Sequence, residues 1–167
     1  LKEFITKECS KLGFQIDETS LSESYRCNQA ICDFANRLYP EHSQCGSKQD
    51  EITEHDGIYI VSKDKVDEYL AKYNPVQLRW NSSTKDTNPE FTITNFGQSK
   101  GLTFERVLIY PTKGMLGWII NNEISVSKFS NEARAKFYVG ITRAKYSVGI
   151  VCDKTDGFIK NGAIEYK

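Results

Sequence analysis

The loop Gly97-Gln98-Ser99-Lys100-Gly101 is the first group of residues whose types and spacing could do chemistry. Its glycines let backbone N–H groups approach a ligand closely, and Lys100 can neutralise phosphate. A turn with a solvated lysine is the plain alternative for the same five residues. The G-x-x-x-x-G-K-[ST] loop, which cradles nucleotide phosphates and supplies a magnesium-binding hydroxyl, occurs nowhere in the chain. Arg26, behind Tyr25, and Arg143, within Thr142-Arg143-Ala144-Lys145, carry the planar, permanently charged fork that suits phosphate oxygens. Taken singly, each reads as a surface ion-pair residue.

The five cysteines, Cys9, Cys27, Cys32, Cys45 and Cys152, are odd in number and scattered, with no C-x-x-C pair. That usage suits reduced thiols in a cytoplasmic protein, not a disulfide framework. Cys27, Cys32, His42 and Cys45 can be assembled on paper into a zinc site, but their spacings match no finger or ribbon. Core or surface thiols are the better reading, and no metal site is expected. His42 and His55 fall in the aperiodic polar stretch Glu41–Asp56 and read as solvated, not catalytic.

Elements must hold these residues in place. Phe4, Ile5, Cys9 and Leu12 recur at helical spacing before Gly13, a C-terminal cap. After the polar run Asp17–Ser24, Ile31, Phe34, Ala35 and Leu38 form the apolar face of a second helix, stopped by Pro40. Gly57–Ser62 has the composition of a buried strand. Lys63–Tyr73 then sets Val66, Tyr69, Leu70 and Tyr73 on one helical face, and Val76–Trp80 is the next strand. Phe91–Thr94 and Val107–Tyr110 are strands flanking the loop 95–101. Met115–Ile120 fits helix or loop. Asn131–Ala144 is a helix behind a Ser130/Asn131 cap and leads into a last strand, Ser147–Asp153. Gly157–Lys167 is a polar tail containing Phe158 and Ile164. This alternation predicts an α/β fold, a mostly parallel sheet with helices on both faces and right-handed crossovers. Open parallel sheets bind ligands beyond the carboxyl ends of their strands, so a site is expected in the loops that follow them.

The 167 residues suit one compact domain over 1–167, and 22 Lys+Arg against 22 Asp+Glu exclude a polybasic arm or an acidic tail. Hydrophobic residues at 39% exclude a disordered chain. No apolar run reaches the roughly 20 residues of a spanning helix, and no secretory signal is present, so no membrane association is expected. The chain begins with Leu1 and its single methionine is Met115, so it is expected to be a fragment of a longer protein.

Three segments, in order, resemble the C-terminal motifs of superfamily 1 DNA helicases of the UvrD/Rep type. Tyr25-Arg26-Cys27-Asn28, with Ile31 and Phe34-Ala35-Asn36-Arg37-Leu38, resembles motif IV (residues 25–38). Within residues 95–109, the run from Ser99-Lys100-Gly101-Leu102-Thr103-Phe104 to Ile109 resembles motif V. Within residues 132–145, Glu132-Ala133-Arg134 and Phe137-Tyr138-Val139-Gly140-Ile141-Thr142-Arg143-Ala144-Lys145 resemble motif VI. The resemblance spans Leu21 to Asp153.

In that family two RecA-like domains sandwich one ATP, with the Walker motifs on the first and arginines reaching over from the second. This chain resembles the second, a RecA-like C-terminal domain without a Walker A loop of its own. The resemblance implies that Tyr25 stacks on adenine and that Arg26 and Arg143 reach the γ-phosphate as catalytic residues. Lys100, Gly101 and Thr103 complete the nucleotide-binding set. Mg2+ would be held by the N-terminal motor domain, the expected partner within the same parent chain. Single-stranded DNA is the other implied partner, through Asn95, Gln98 and Ser99 on phosphate and through Phe96 as a stacking face if exposed, a buried phenylalanine being the alternative. Arg134 reads as a structural tie. The implied activity is ATP hydrolysis coupled to 3′ to 5′ translocation and duplex unwinding, with this domain inactive alone. Thr103 stands where the family has Glu, and Asn95 and Gly97 where it has Thr and His. Between Pro40 and Phe91 there is no room for the extra subdomain of longer members. The alternative is a degenerate module that binds nucleotide or DNA, in a repair or defence complex, without unwinding.

Overall fold

The computed structural model describes residues 2–14, 22–84, 86–121, 129–153 and 162–167. Most of the polar run from Asp17, the start of the motif region at Leu21, and Phe158 lie outside the described residues. In chain order the elements are α1 (Lys2–Lys11), β1 (Glu23–Ser24), α2 (Gln29–Asn36), β2 (Gly46–Ser47) and β3 (Gly57–Val61). A 3-10 turn at Lys63–Lys65 leads into α3 (Val66–Tyr73), then β4 (Val76–Arg79), β5 (Ile93–Asn95) and β6 (Phe104–Ile109). The rest are α4 (Lys113–Asn121), α5 (Asn131–Ile141), β7 (Ala144–Val151) and β8 (Ile164–Glu165).

Six strands form one sheet in the order β5-β4-β6-β7-β3-β8, and every pairing in it is parallel. Strand alternation divides the core into two layers. Val107 and Ile109 of β6, with Ile58 and Ile60 of β3 and Val148 and Ile150 of β7, pack beneath α2, α4 and α5. Leu108, Val61 and Val151 point the other way, onto Val66, Tyr69 and Leu70 of α3. This is the expected α/β sheet with helices on both faces. Each such fully buried aliphatic side chain stabilises the fold by roughly 1.5–3 kcal/mol. Gly149 lets Leu108 and Tyr69 approach the strand closely, because a Cβ there would come within 2.8 Å of Leu108 Cδ1 and 3.0 Å of Tyr69 Cε1.

Several details correct or complete the sequence reading. The polar tail supplies an edge strand, β8, whose Ile164 and Glu165 pair with Tyr59 and Ile60. The ambiguous stretch Met115–Ile120 is helical and buries Met115 and Ile119. Helix α5 ends at Ile141, not Ala144, because β7 begins at Ala144 and pairs it with Phe104. His55 is not solvated. Its ring is sandwiched between Tyr59 and Tyr73, with centroids 3.8 and 3.6 Å away, and its Nε2 lies 3.0 Å from the Tyr69 hydroxyl. Burial first, then the charges of Arg106 and Lys72, push its pKa down to about 4.

Candidate functional site

Phe104 and Ala144, the first residues of β6 and β7, face each other in register. Thr103 and Arg143 therefore stand at the amino edge of the sheet. The segment around Arg26 is fixed to the same edge by Asn28, which caps α2 by accepting from the Ile31 N–H at 3.1 Å. The Asn28 backbone N–H donates to the Lys145 carbonyl at 3.1 Å, and its side-chain Nδ2 donates to the Tyr146 carbonyl at 2.7 Å. This corrects the expectation of a site beyond the carboxyl ends of the strands. The motif residues sit where chain enters β6 and β7, so the edge those strands leave is not the one they line.

There an open cleft of about 720 Å³ is lined by Tyr25, Arg26, Cys27, Tyr138, Thr142 and Arg143, among others. Tyr25 is 79% exposed at its mouth. Arg26 Nη1 donates to the Thr142 carbonyl at 3.0 Å. Arg143 donates from Nε to the Val139 carbonyl and from Nη1 to the Leu102 carbonyl, both at 3.2 Å. Among the described residues neither guanidinium has a carboxylate within ion-pair distance. Partial burial and the neighbouring Arg26 charge both lower the pKa of Arg143. Two guanidiniums without an ion-pair partner among the described residues therefore line a cleft whose other charged group, Glu23, is paired with Lys48 at 3.1 Å.

Arg134 differs. Its Nη2 reaches both carboxylate oxygens of Glu41, at 2.7 and 2.9 Å, its Nε donates to the Leu38 carbonyl, and its guanidinium lies 4.0 Å from the Tyr39 ring centroid. It ties α5 to the chain after α2.

The segment 96–103 runs from the carboxyl edge, where Asn95 pairs with Arg79, back to Phe104 at the amino edge. Gly101 takes φ +80° on the way, a conformation that favours glycine. Lys100, Gly101 and Thr103 are exposed, and the Leu102 carbonyl brings this end of the segment to Arg143. Phe96 is fully buried and lies where a Gly140 Cβ would be, 2.5 Å from its Cε1, so it offers no stacking face. Ser99 is also fully buried, and its hydroxyl donates to the Phe96 carbonyl at 2.8 Å, which removes that side chain from any DNA contact. Asn95 is half-buried and its Oδ1 accepts from Arg79 Nε at 3.2 Å, while Gln98 is exposed. The structure thus gathers Tyr25, Arg26, Arg143 and the Leu102 end of the segment, and leaves Asn95, Phe96 and Ser99 away from that cleft.

Sequence reasoning did not place Cys27, Cys32, Cys45 and Tyr138 on this cleft. The available signal was the position of Cys27 directly after Arg26 and of Cys32 one helical turn into α2. His42 stacks on Tyr39, with ring centroids 5.6 Å apart. Among the described residues no three metal-ligating side chains are arranged to hold an ion, and no helix is long and apolar enough to cross a membrane.

No family model and no curated protein matches the chain. Among solved structures it is similar to the C-terminal domain of a possible DNA helicase from Lactobacillus plantarum WCFS1, at 15% identity and a TM-score of 0.47 over 77% of this chain and 87% of that one. It is also similar to the methylated PRRSV nsp10 helicase, at 20% identity and a TM-score of 0.46 over 80% of this chain and 24% of that one. For an arterivirus nonstructural protein 10 helicase the values are 17% identity and a TM-score of 0.44 over 81% of this chain and 26% of the other.

Proposed function

We propose that this chain is the second RecA-like motor domain of an ATP-dependent DNA helicase of the UvrD/Rep type, working against a first motor domain that carries the Walker motifs and Mg2+. The observation that supports this best is that Arg26 and Arg143 line one cleft, held by backbone carbonyls and, among the described residues, lacking carboxylate partners. A nucleoside triphosphate offers both cations the anionic partner that they lack among the described residues. Tyr25, exposed beside them, has the flat ring to lie on adenine. Arginine keeps its charge and donates in pairs to phosphate oxygens, so it stabilises the charge that spreads as the phosphoryl group leaves.

Closure of the two motor domains gives Arg26 and Arg143 partners that the open state lacks, so ATP favours the closed form and hydrolysis releases it. Repeated cycles step the protein along one strand. With Phe96 and Ser99 buried, the DNA-contacting role contracts to Gln98 and Asn95. The test is ATP hydrolysis by the polypeptide that carries this domain together with its Walker motifs, with and without single-stranded DNA. Stimulation by DNA and its loss in a folded Arg143→Ala variant are expected. Nucleotide or DNA binding without turnover under every condition would replace the motor with the binding module.

A further inference from the structure

We propose that Cys27 and Cys32 are a peroxide-oxidisable dithiol, a modification site on the floor of the cleft that converts to a disulfide. Asn28 is the N-cap of α2, so Cys27 is the residue before the cap and Cys32 the fourth inside the helix. Side chains at those two positions meet across the helix start, usually as an apolar staple. Here both are sulfur, and Cys32 Sγ reaches back to within 3.7 Å of the carbonyl oxygen of Cys27. Cys27 Sγ also lies 3.5 Å from the Thr142 carbonyl, and Cys32 Sγ 3.6 Å from the Gly46 carbonyl. Both line the cleft that also holds Arg26 and Arg143.

The surroundings give the two thiols different roles. The neighbouring Cys32 thiol, then Ser24 and the charges of Arg26 and Arg143, lower the pKa of Cys27 against the opposing effect of burial. Donation to Cys27 and burial raise that of Cys32, which keeps its proton. Cys27 is the nucleophile and Cys32 the resolving thiol. The Cys27 thiolate attacks one peroxide oxygen, the O–O bond breaks, and hydroxide leaves to be protonated to water. The resulting sulfenic acid is attacked by the Cys32 sulfur, which gives up its proton as the S–O bond breaks and a second water departs. Two thiols are thereby oxidised by two electrons and one peroxide is reduced to two waters. Nothing in this chemistry depends on the nucleotide reading.

The experiment exposes the folded chain to hydrogen peroxide, blocks free thiols with iodoacetamide and digests with trypsin. Cleavage after Arg26 and Arg37 yields a peptide, residues 27–37, that holds Cys27 and Cys32 and no other cysteine. This peptide is expected to lack two hydrogens and both alkyl groups, to recover them after dithiothreitol, and to oxidise about tenfold faster than Cys9. In Cys32→Ser, Cys27 is expected to stop at a sulfenic acid that dimedone captures, while Cys27→Ser leaves the peptide unoxidised. The proposal is overturned if wild-type peptide 27–37 stays fully alkylated, if Cys32 is found joined to Cys45 instead, or if the urea-unfolded chain oxidises there equally fast.

Discussion

Arg26 donates from Nη1 to the carbonyl oxygen of Thr142, the residue before Arg143, at 3.0 Å. The same carbonyl receives the Cys27 thiol at 3.5 Å. One backbone oxygen at the end of α5 thus organises the wall of the cleft.

If Arg143 reaches the γ-phosphate, Arg143→Ala lowers kcat for ATP in the parent protein by about 10³-fold or more while the domain still folds. Stopped assays of phosphate release, with circular dichroism on the same samples, check this. Arg143→Lys should remain far below wild type, because an ammonium cannot reproduce the fork. Activity within a few-fold of wild type would remove Arg143 from the chemistry.

Arg134→Ala should behave in the opposite way. It loses a two-point pair with Glu41 and a cation–π contact with Tyr39, costing about 1–2 kcal/mol of stability by denaturant titration. Turnover of the folded fraction stays unchanged.

Gly140→Ala would place a methyl group 2.5 Å from Phe96 Cε1 in a filled core. A loss of about 1–3 kcal/mol is expected. Phe96→Leu in the same chain should cost less than the sum of the two single changes, since the smaller side chain vacates that volume. Strict additivity would place the damage elsewhere.

His55 is neutral and stacked in the fold, with its pKa lowered to about 4 from the ordinary 6.5. The unfolded chain therefore binds a proton that the native chain refuses, and stability falls as pH drops from 6.5 toward 4, levelling below. At ~1.4 kcal/mol per pKa unit the loss reaches at most about 3.5 kcal/mol. His55→Gln should flatten urea midpoints across that window. An unchanged slope would assign the dependence to other groups.

The periodicity of Ile31, Phe34, Ala35 and Leu38, and of Val66, Tyr69 and Leu70, made α2 and α3 legible in the sequence, because burial on one face imposes that spacing. The two arginines were legible through their flanking motif residues. The edge of the sheet on which they sit was not, since it depends on Ala144 pairing with Phe104, a register that no local pattern records. Phe96 was undecided for a similar reason. Its neighbour across the core is Gly140, far along the chain, and only the fold brings them together. His55 was misread because a polar run conceals the aromatic partners Tyr59, Tyr69 and Tyr73, which arrive from β3 and α3.

Asn28 joins the start of α2 to the first residues of β7 through both its backbone and its side chain. Because of that bolt, the guanidiniums of residues 26 and 143 belong to one stiff piece of the molecule although they come from opposite ends of the chain. Their spacing is settled when the protein folds, so in the proposed motor a nucleotide phosphate need not arrest two wandering side chains, and the entropy that loose prongs would lose on capture is already spent.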